Sequence, residues 1–328
     1  MKPTVDQATR IGAKVKACLA LKGTAWTVLA SVRGAIYIHR DPNELLWITD
    51  RKSTMHGRAI EIGRLPSSMP PAGSSCRIDQ GILSIGHSML VELKKASVWE
   101  PRWPAINTKQ SREASPDLDM VLARVARTSP PQGGFARLLP ALRTTGTANR
   151  LEAKMAAVAR EAISHCQQVS SAKGLLKVLD RCRGLIGLGA GLTPSGDDFL
   201  AAYLFTLRAN EIVKKVNLCI DWQQGRTWLQ GESIRTNAIS STLMLDCASG
   251  FAAAPLHEFV TSTLRNDAID EVVFRACQLS RIGHSSGWDM LVGVHAAFSS
   301  LECMSRDMAE TERVNRHAVC RKEVVHVR

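Results

Sequence analysis

The run Gly187-Leu188-Gly189-Ala190-Gly191-Leu192-Thr193-Pro194-Ser195-Gly196-Asp197-Asp198 places alternating glycines directly before a helix start that carries two carboxylates. Glycine adopts positive φ without steric cost and lets backbone approach a partner closely. Thr193 followed by Pro194 reads as an N-cap with proline at the first helical position. The unpaired amides of such a helix start form an anion site. The pattern recurs downstream, where Ile282-Gly283-His284-Ser285-Ser286-Gly287-Trp288-Asp289-Met290-Leu291 lies over Gly191 to Leu200 and matches Ser286-Gly287-x-Asp289 to Ser195-Gly196-x-Asp198. Each copy opens an apolar segment, Phe199 to Leu207 and Met290 to Phe298. Both are too short to span a bilayer. They read as buried core helices whose N-termini a pseudo-twofold packing of two helical hairpins would bring side by side. The bland alternative is that each glycine only permits tight helix packing and each Ser-x-x-Asp is a capping box. Two copies, one with a carboxylate pair, favour a functional site.

Two familiar phosphate loops are excluded. A dinucleotide fingerprint needs Gly-x-Gly-x-x-Gly after a strand, whereas here the third glycine comes one position early and Leu151 to Leu179 has helical composition. A P-loop ends in Gly-Lys-Ser or Gly-Lys-Thr, and no lysine lies between Lys177 and Lys214. Asp197, Asp198 and Asp289 have the chemistry to hold magnesium together with substrate oxygens. That use ranks below simple hydrogen bonding, so no cofactor is expected.

The elements that must position these residues follow from length and pattern. The chain has 328 residues, enough for two domains, with 45% apolar and 22% charged content, ordinary for a folded globular protein. Net charge is +12, yet the basic residues are scattered and only 5% of the chain is aromatic, so no nucleic-acid module stands out. The excess positive charge steers anionic small molecules instead. Nine cysteines form no Cys-x-x-Cys pair and no zinc-type cluster with histidine, and read as reduced, packed thiols. Near the N-terminus, Arg10, Lys14, Lys16 and Lys22 alternate with Ile11, Val15 and Leu19 as a short basic amphipathic helix rather than a signal peptide. A cytoplasmic location with no membrane partner is the expectation.

From Gly23 to about Trp99 the pattern is β-like. Strands are expected at Trp26 to Val32, Ala35 to His39, Glu44 to Thr49, Ala59 to Ile62, Gly81 to Ile85 and Met89 to Leu93, separated by turn signals. Such spacing predicts a small antiparallel β-barrel or sandwich. Trp99-Glu100-Pro101-Arg102-Trp103-Pro104 ends this region, and the rest reads as mainly helical, an α+β organisation. The expected domains are a β-rich one over 1–105, a helical one over 106–304 and a flexible tail over 305–328. Helices are expected at Leu118 to Thr128, Arg137 to Leu142, Leu151 to Gln167, Ala172 to Arg183, from Asp197, Gly231 to Ser249, Ala254 to Leu264 and Ala268 to Ser280. Within Gly231 to Ser249, Thr236, Asn237, Ser240 and Ser241 recur at helical spacing. This stripe faces solvent by default, or forms a third wall of the site with Arg235 as a fork for an oxyanion.

The chain resembles the AllH-like subunit family of oxamate carbamoyltransferase. Gly189-x-Gly191-Leu192-Thr193-Pro194-Ser195-Gly196-Asp197-Asp198-Phe199-Leu200 carries the resemblance, supported by Gly283-His284-Ser285-Ser286-Gly287-x-Asp289 and, more weakly, by the Gly23 to Ile38 region, Trp99-x-Pro101, Arg235-Thr236-Asn237 through Ser240, and Pro255-Leu256-His257. It departs at Ala190, where the family commonly has proline, and at Trp288, where a smaller residue is usual and which bears on pocket size. The resemblance implies carbamoyl transfer between carbamoyl phosphate and oxamate, with oxalurate as the carbamoylated product, in allantoin degradation. It also implies partner subunits, including an acyl-CoA-synthetase-like protein. For that chemistry the backbone from Gly189 to Ser195 would cradle a phosphate or carboxylate, with hydroxyl contacts from Thr193, Ser195 and Ser286. His284 would donate to the developing oxyanion or shuttle a proton, and Asp198 and Asp289 would orient the loops and recognise an amine. Gly196, Asp197, Ser285 and Gly287 complete the expected substrate-binding set with Arg235, Thr236 and Asn237. The competing class is a non-catalytic subunit that binds an anion or metabolite and stabilises an enzyme complex.

Overall fold

A computed structural model describes residues 4–19, 24–41, 44–52, 54–87, 89–105, 116–139, 150–167 and 174–325. The chain packs as two units, one of residues 1–104 with 251–258, the other of residues 105–250 with 259–328.

The first unit holds β1 (Thr4–Gly12), α1 (Ala13–Leu19), β2 (Thr24–Val32), β3 (Ala35–Asp41), β4 (Glu44–Asp50), β5 (Ala59–Ile62), β6 (Ser75–Asp79), β7 (Ile82–Ile85), β8 (Met89–Glu92) and β9 (Ser97–Trp99). The order β5-β4-β3-β2-β6-β7-β8-β1 closes through a β1–β5 pairing into an eight-stranded barrel, and β9 pairs with β1 beyond the end of β8. Alternation selects the interior: Cys76 and Ile78 of β6, Leu83 and Ile85 of β7, and Met89 and Val91 of β8 are buried with Trp26, Ile36, Ile38, Leu46, Ile48 and Ile60. Burial pushes the Cys76 thiol up to about 12.

Three strand pairings are parallel, two of them within the barrel. β1 runs parallel to β8 and β9, and β4 runs parallel to β5. The expected basic N-terminal helix is also shorter than its charge pattern implied. Its first part, including Arg10 and Ile11, is the strand that closes the barrel, and only Ala13–Leu19 is helical; Lys22 lies outside the described residues. The reason is tertiary: a barrel must satisfy both edges of its sheet, and β1 supplies the missing partner to β5 on one side and β8 on the other. Arg10 then reaches the buried carboxylate of Glu61 on β5, which also accepts from Thr9 Oγ1 at 2.6 Å.

The second unit contains α2 (Leu118–Thr128), a 3-10 turn at Gly134–Leu138, α3 (Arg150–Gln167), α4 (Gly174–Cys182), α5 (Ser195–Lys214), α6 (Trp222–Gly231), α7 (Ala238–Ala248), α9 (Ile269–Ser280) and α10 (Ser286–Val325); α8 (Ala254–Leu264) follows α7 in the chain and belongs to this unit only from Phe259 onward. α5 is its centre. Phe199, Leu200, Ala202, Tyr203, Phe205 and Leu207 are all essentially inaccessible, so the helix is apolar all round and buried accordingly. α10 lies along it so closely that a Cβ on Gly293 would enter the space of the Phe199 carbonyl oxygen. The stretch from Ser305, expected to be a tail, continues α10 to Val325; no glycine or proline after Gly293 interrupts it.

Candidate functional site: two joined helix starts

The two copies of the motif fold alike. Leu185 lies in a 3-10 turn at Arg183–Leu185 before the first copy, and Leu279 lies in the last turn of α9 before the second. Gly196 N–H donates to Leu188 O at 2.9 Å and Gly287 N–H donates to Ile282 O at 3.0 Å, so each turn folds back on its own helix start. Gly196 rests against the Leu185 carbonyl and Gly287 against the Leu279 carbonyl, and a Cβ at either would occupy the carbonyl's space. In the first copy Gly189 has φ +129°, where a Cβ would lie 2.6 Å from Ser195 N; only glycine fits that turn. The helix begins at Ser195 rather than at Pro194, because Pro194 (ψ 146°) is still extended and caps with its carbonyl alone, accepting from Asp197 N and Asp198 N.

The turns meet. Thr193 Oγ1 of the first lies 3.2 Å from Ser286 Oγ of the second. The hydroxyls then cross between the copies: Ser286, together with Thr193, faces the Asp198 carboxyl and favours its charged form, and Ser195, together with Ser285, does the same for Asp289. Ser195 is equivalent to Ser286 and Asp198 to Asp289, so the crossing is reciprocal. Two helix N-termini side by side concentrate positive potential, and each brings a carboxyl into that field. Burial nevertheless dominates. It holds Asp198 well above the usual carboxylate range, with the neighbouring Asp289 adding to the effect, and raises Asp289 as well. Oδ2 of each is buried without a hydrogen-bond partner.

Asp197 has a different job. Its Oδ1 accepts from Gly187 N at 2.8 Å, and its Oδ2 accepts from Ser240 Oγ at 2.7 Å and from Thr236 Oγ1. Its oxygens are committed inside the protein, tying the glycine loop to the start of α7. Ser240 and Ser241 are therefore buried, contrary to the solvent-facing default for that stripe. Asn237 caps α7 through Ile239 N and Ser240 N, both at 3.0 Å, and its Nδ2 holds Leu192 O at 2.8 Å. That cap is also why the helix expected from Gly231 starts only at Ala238. Replacing Asn237 by alanine is expected to lower the melting temperature by roughly 2 to 8 °C, the worth of about 1–2 kcal/mol for a lost N-cap, and to speed amide exchange across Gly189–Thr193; thermal unfolding and hydrogen exchange read both.

Arg235 is half exposed and its Nε donates to Glu232 Oε2 at 2.6 Å, so its guanidinium is engaged beside the loop rather than at the junction. His284 stands exposed on the rim of the second turn. Trp288 is buried, its indole N–H donating to Ser129 O at 3.1 Å. Among the described residues, no group of three His, Cys, Asp or Glu side chains is placed to hold a metal ion.

Sequence reasoning missed one contributor. Gly134 (φ +66°) lies so close to Asp289 that a Cβ would occupy the place of its Oδ1, and Phe135 N–H donates to that same Oδ1 at 2.6 Å. The Phe135 ring packs edge-on to Phe199 at 6.2 Å between centroids. A single turn thus touches the carboxyl of one copy and the helix of the other. The helix expected over Arg137 to Leu142 is reduced to this 3-10 turn, with 140–142 outside the described residues. The signal that might have revealed the turn was Pro130-Pro131-Gln132-Gly133-Gly134, a breaker cluster just before an aromatic residue.

Residues 185–298 match the family model described as oxamate carbamoyltransferase subunit AllH. This stretch is AllH-like. The AllH-like region begins at the leucine whose carbonyl seats Gly196 and ends in α10, so it contains both turns and the Asn237 cap, while the Gly134–Phe135 turn lies outside it. No curated protein and no solved structure matches the chain. Among the described residues no helix is long and apolar enough to cross a membrane.

Proposed function

We propose that this chain is a subunit of an oxamate carbamoyltransferase acting in the cytoplasm in allantoin breakdown, and that the junction of the two helix starts binds its small anionic substrates. The observation that carries the reading is the meeting of two glycine turns through Thr193 and Ser286 inside the region that matches AllH. Among the described residues, the amides of Gly189 to Thr193 and of Gly283 to Ser286 donate to no backbone carbonyl. They are free to receive a phosphate or carboxylate.

In the transfer, the oxamate nitrogen attacks the carbamoyl carbon, the carbon–oxygen bond to phosphate breaks, and the nitrogen gives up a proton. Negative charge builds on the carbamoyl oxygen. Positioned amides and the Thr193, Ser195 and Ser286 hydroxyls answer that demand without a protein nucleophile. His284 on the rim moves the proton. No cofactor enters this scheme.

A second reading is favoured by the depth of Asp198 and Asp289, whose hydrogen bonds hold the turns together: the chain binds an anion while partner subunits, among them an acyl-CoA-synthetase-like protein, do the chemistry. Calorimetry of the isolated chain with carbamoyl phosphate and oxamate, followed by assay after reconstitution with the partner subunits, separates the two. If this site performs the transfer, Thr193→Ala, Ser195→Ala and Ser286→Ala each lose about 10²-fold in turnover while staying folded. Turnover close to wild type in all three, with binding retained, favours the non-catalytic subunit.

A further inference from the structure

The duplication has a consequence for what the junction takes. Each half presents the same elements: a turn whose amides donate to no described backbone carbonyl, a serine hydroxyl, and a carboxyl with one oxygen left over. In the first half these are Gly189–Thr193, Ser195 and Asp198; in the second, whose turn is shorter and set closer to its helix, they are Gly283–Ser286, Ser286 and Asp289. The carboxyls lie between the turns, since Asp198 is reached by hydroxyls of both copies and so is Asp289. Asp198 is 4% and Asp289 0% exposed, and a buried carboxyl oxygen without a partner is rare and costly in a native fold. Amides at a helix start call for an anion, whereas the orphaned Oδ2 of each carboxyl, which stays an acceptor when the other oxygen carries the proton, calls for an N–H donor. One small molecule satisfies both if it carries an anionic group at one end and a primary amide at the other.

Building on the function proposed above, we infer that the two turns are equivalent half-sites, each fitted to an anion that bears a primary amide, so that one chain holds two such molecules with their amide ends meeting at Asp198 and Asp289. The anionic end lies on the turn amides, and the NH2 group enters by replacing the hydrogen bond between Thr193 and Ser286. Both substrates of the proposed transfer belong to this class. Oxamate joins a carboxylate to a primary amide, and carbamoyl phosphate joins a phosphate to a carbamoyl NH2. Two half-sites of one chemistry place the amide nitrogen of one molecule next to the carbonyl carbon of the other, which is the approach the transfer needs.

Pyruvate is the natural probe, because it replaces the NH2 of oxamate by a methyl group at nearly constant shape. Equilibrium dialysis of labelled oxamate and pyruvate against the full chain, run to saturation, is expected to show two oxamate molecules per chain and binding of pyruvate about tenfold weaker or worse. Asp198→Asn and Asp289→Asn keep the side-chain shape, and circular dichroism checks that each variant is folded. Each is expected to weaken oxamate at one half-site about tenfold and to leave the other half-site and the affinity for pyruvate unchanged. A single oxamate per chain overturns the two half-sites, and equal binding of oxamate and pyruvate overturns the amide recognition; either result leaves the anion-binding function standing. Failure of the folded chain to bind oxamate, carbamoyl phosphate or inorganic phosphate overturns that function, and the inference with it.

Discussion

Replacing Gly196 by alanine is expected to lower the melting temperature of the helical unit by about 6 to 12 °C, the equivalent of about 3 kcal/mol or more of overpacking. The added Cβ would compete for space with the Leu185 carbonyl oxygen, which is backbone and has no rotamer to escape into. α5 is buried on all sides, so it cannot shift without disturbing α10 and α7. Gly287→Ala meets the Leu279 carbonyl in the same way and is expected to cost as much. Gly191→Ala is the control. Its φ of +98° strains any L side chain by about 1–2 kcal/mol, but its Cβ would meet nothing within 4 Å, so its effect is expected to be clearly smaller. Far-ultraviolet circular dichroism during thermal unfolding orders the three. Equal melting of Gly191→Ala and Gly196→Ala would show that backbone conformation alone, and not the seating of the helix start, selects glycine at these positions.

The second large effect is a loss of stability as pH rises. Asp198 is held well above its ordinary value of 3.8, chiefly by burial, and Asp289 and Asp197 are raised in the same direction. A carboxyl whose pKa is higher in the folded than in the unfolded chain keeps its proton in the fold when the unfolded chain has released it. Its contribution is therefore complete below the ordinary value, declines as pH climbs above 3.8, and is lost once pH passes the raised folded value. Within that window each such carboxyl lowers stability by at most about 1.4 kcal/mol per pH unit. Asp198→Asn cannot ionise, so as pH rises above the ordinary carboxylate value its melting temperature is expected to fall less than that of the wild type. Urea unfolding across this range measures the difference directly. Parallel curves for the two proteins would mean that the helix N-termini keep Asp198 ionised throughout, and that burial is not the dominant force on it.

Much of the architecture was legible because its signals are local. The strands at β2, β3, β4, β5, β7 and β8 and the helices at α2, α3, α8 and α9 follow from runs of β-branched residues or from helical periodicity, which depend on neighbours in sequence. β6 is masked in the sequence although Ser75-Cys76-Arg77-Ile78-Asp79 alternates cleanly, because the preceding Pro66 to Ser75 stretch reads as loop. α6 is faint in the sequence because Gly225 and Gly231 and the Gln223-Gln224 pair weaken its pattern; Gly225 there lies against the Leu175 side chain. β1 is hidden from sequence because Arg10 and Ile11 at its end continue the helical spacing of Lys14 and Val15 in α1, and a strand that closes a barrel gains most of its stability from partners far away in the chain.

The site divides along the same line. Sequence alone established that Ser195-Gly196-x-Asp198 and Ser286-Gly287-x-Asp289 are copies, that each opens a buried helix, and that their glycines permit turns closed to other residues, because residue type and short spacing suffice for these properties. Tertiary structure decided that the copies meet, that Ser195 serves Asp289 while Ser286 serves Asp198, that Asp197 is spent on Gly187, Thr236 and Ser240, and that Gly134 and Phe135 complete the junction. Those are pairings between residues remote in the chain. Burial and distance set them, and neither quantity exists until the helices have packed.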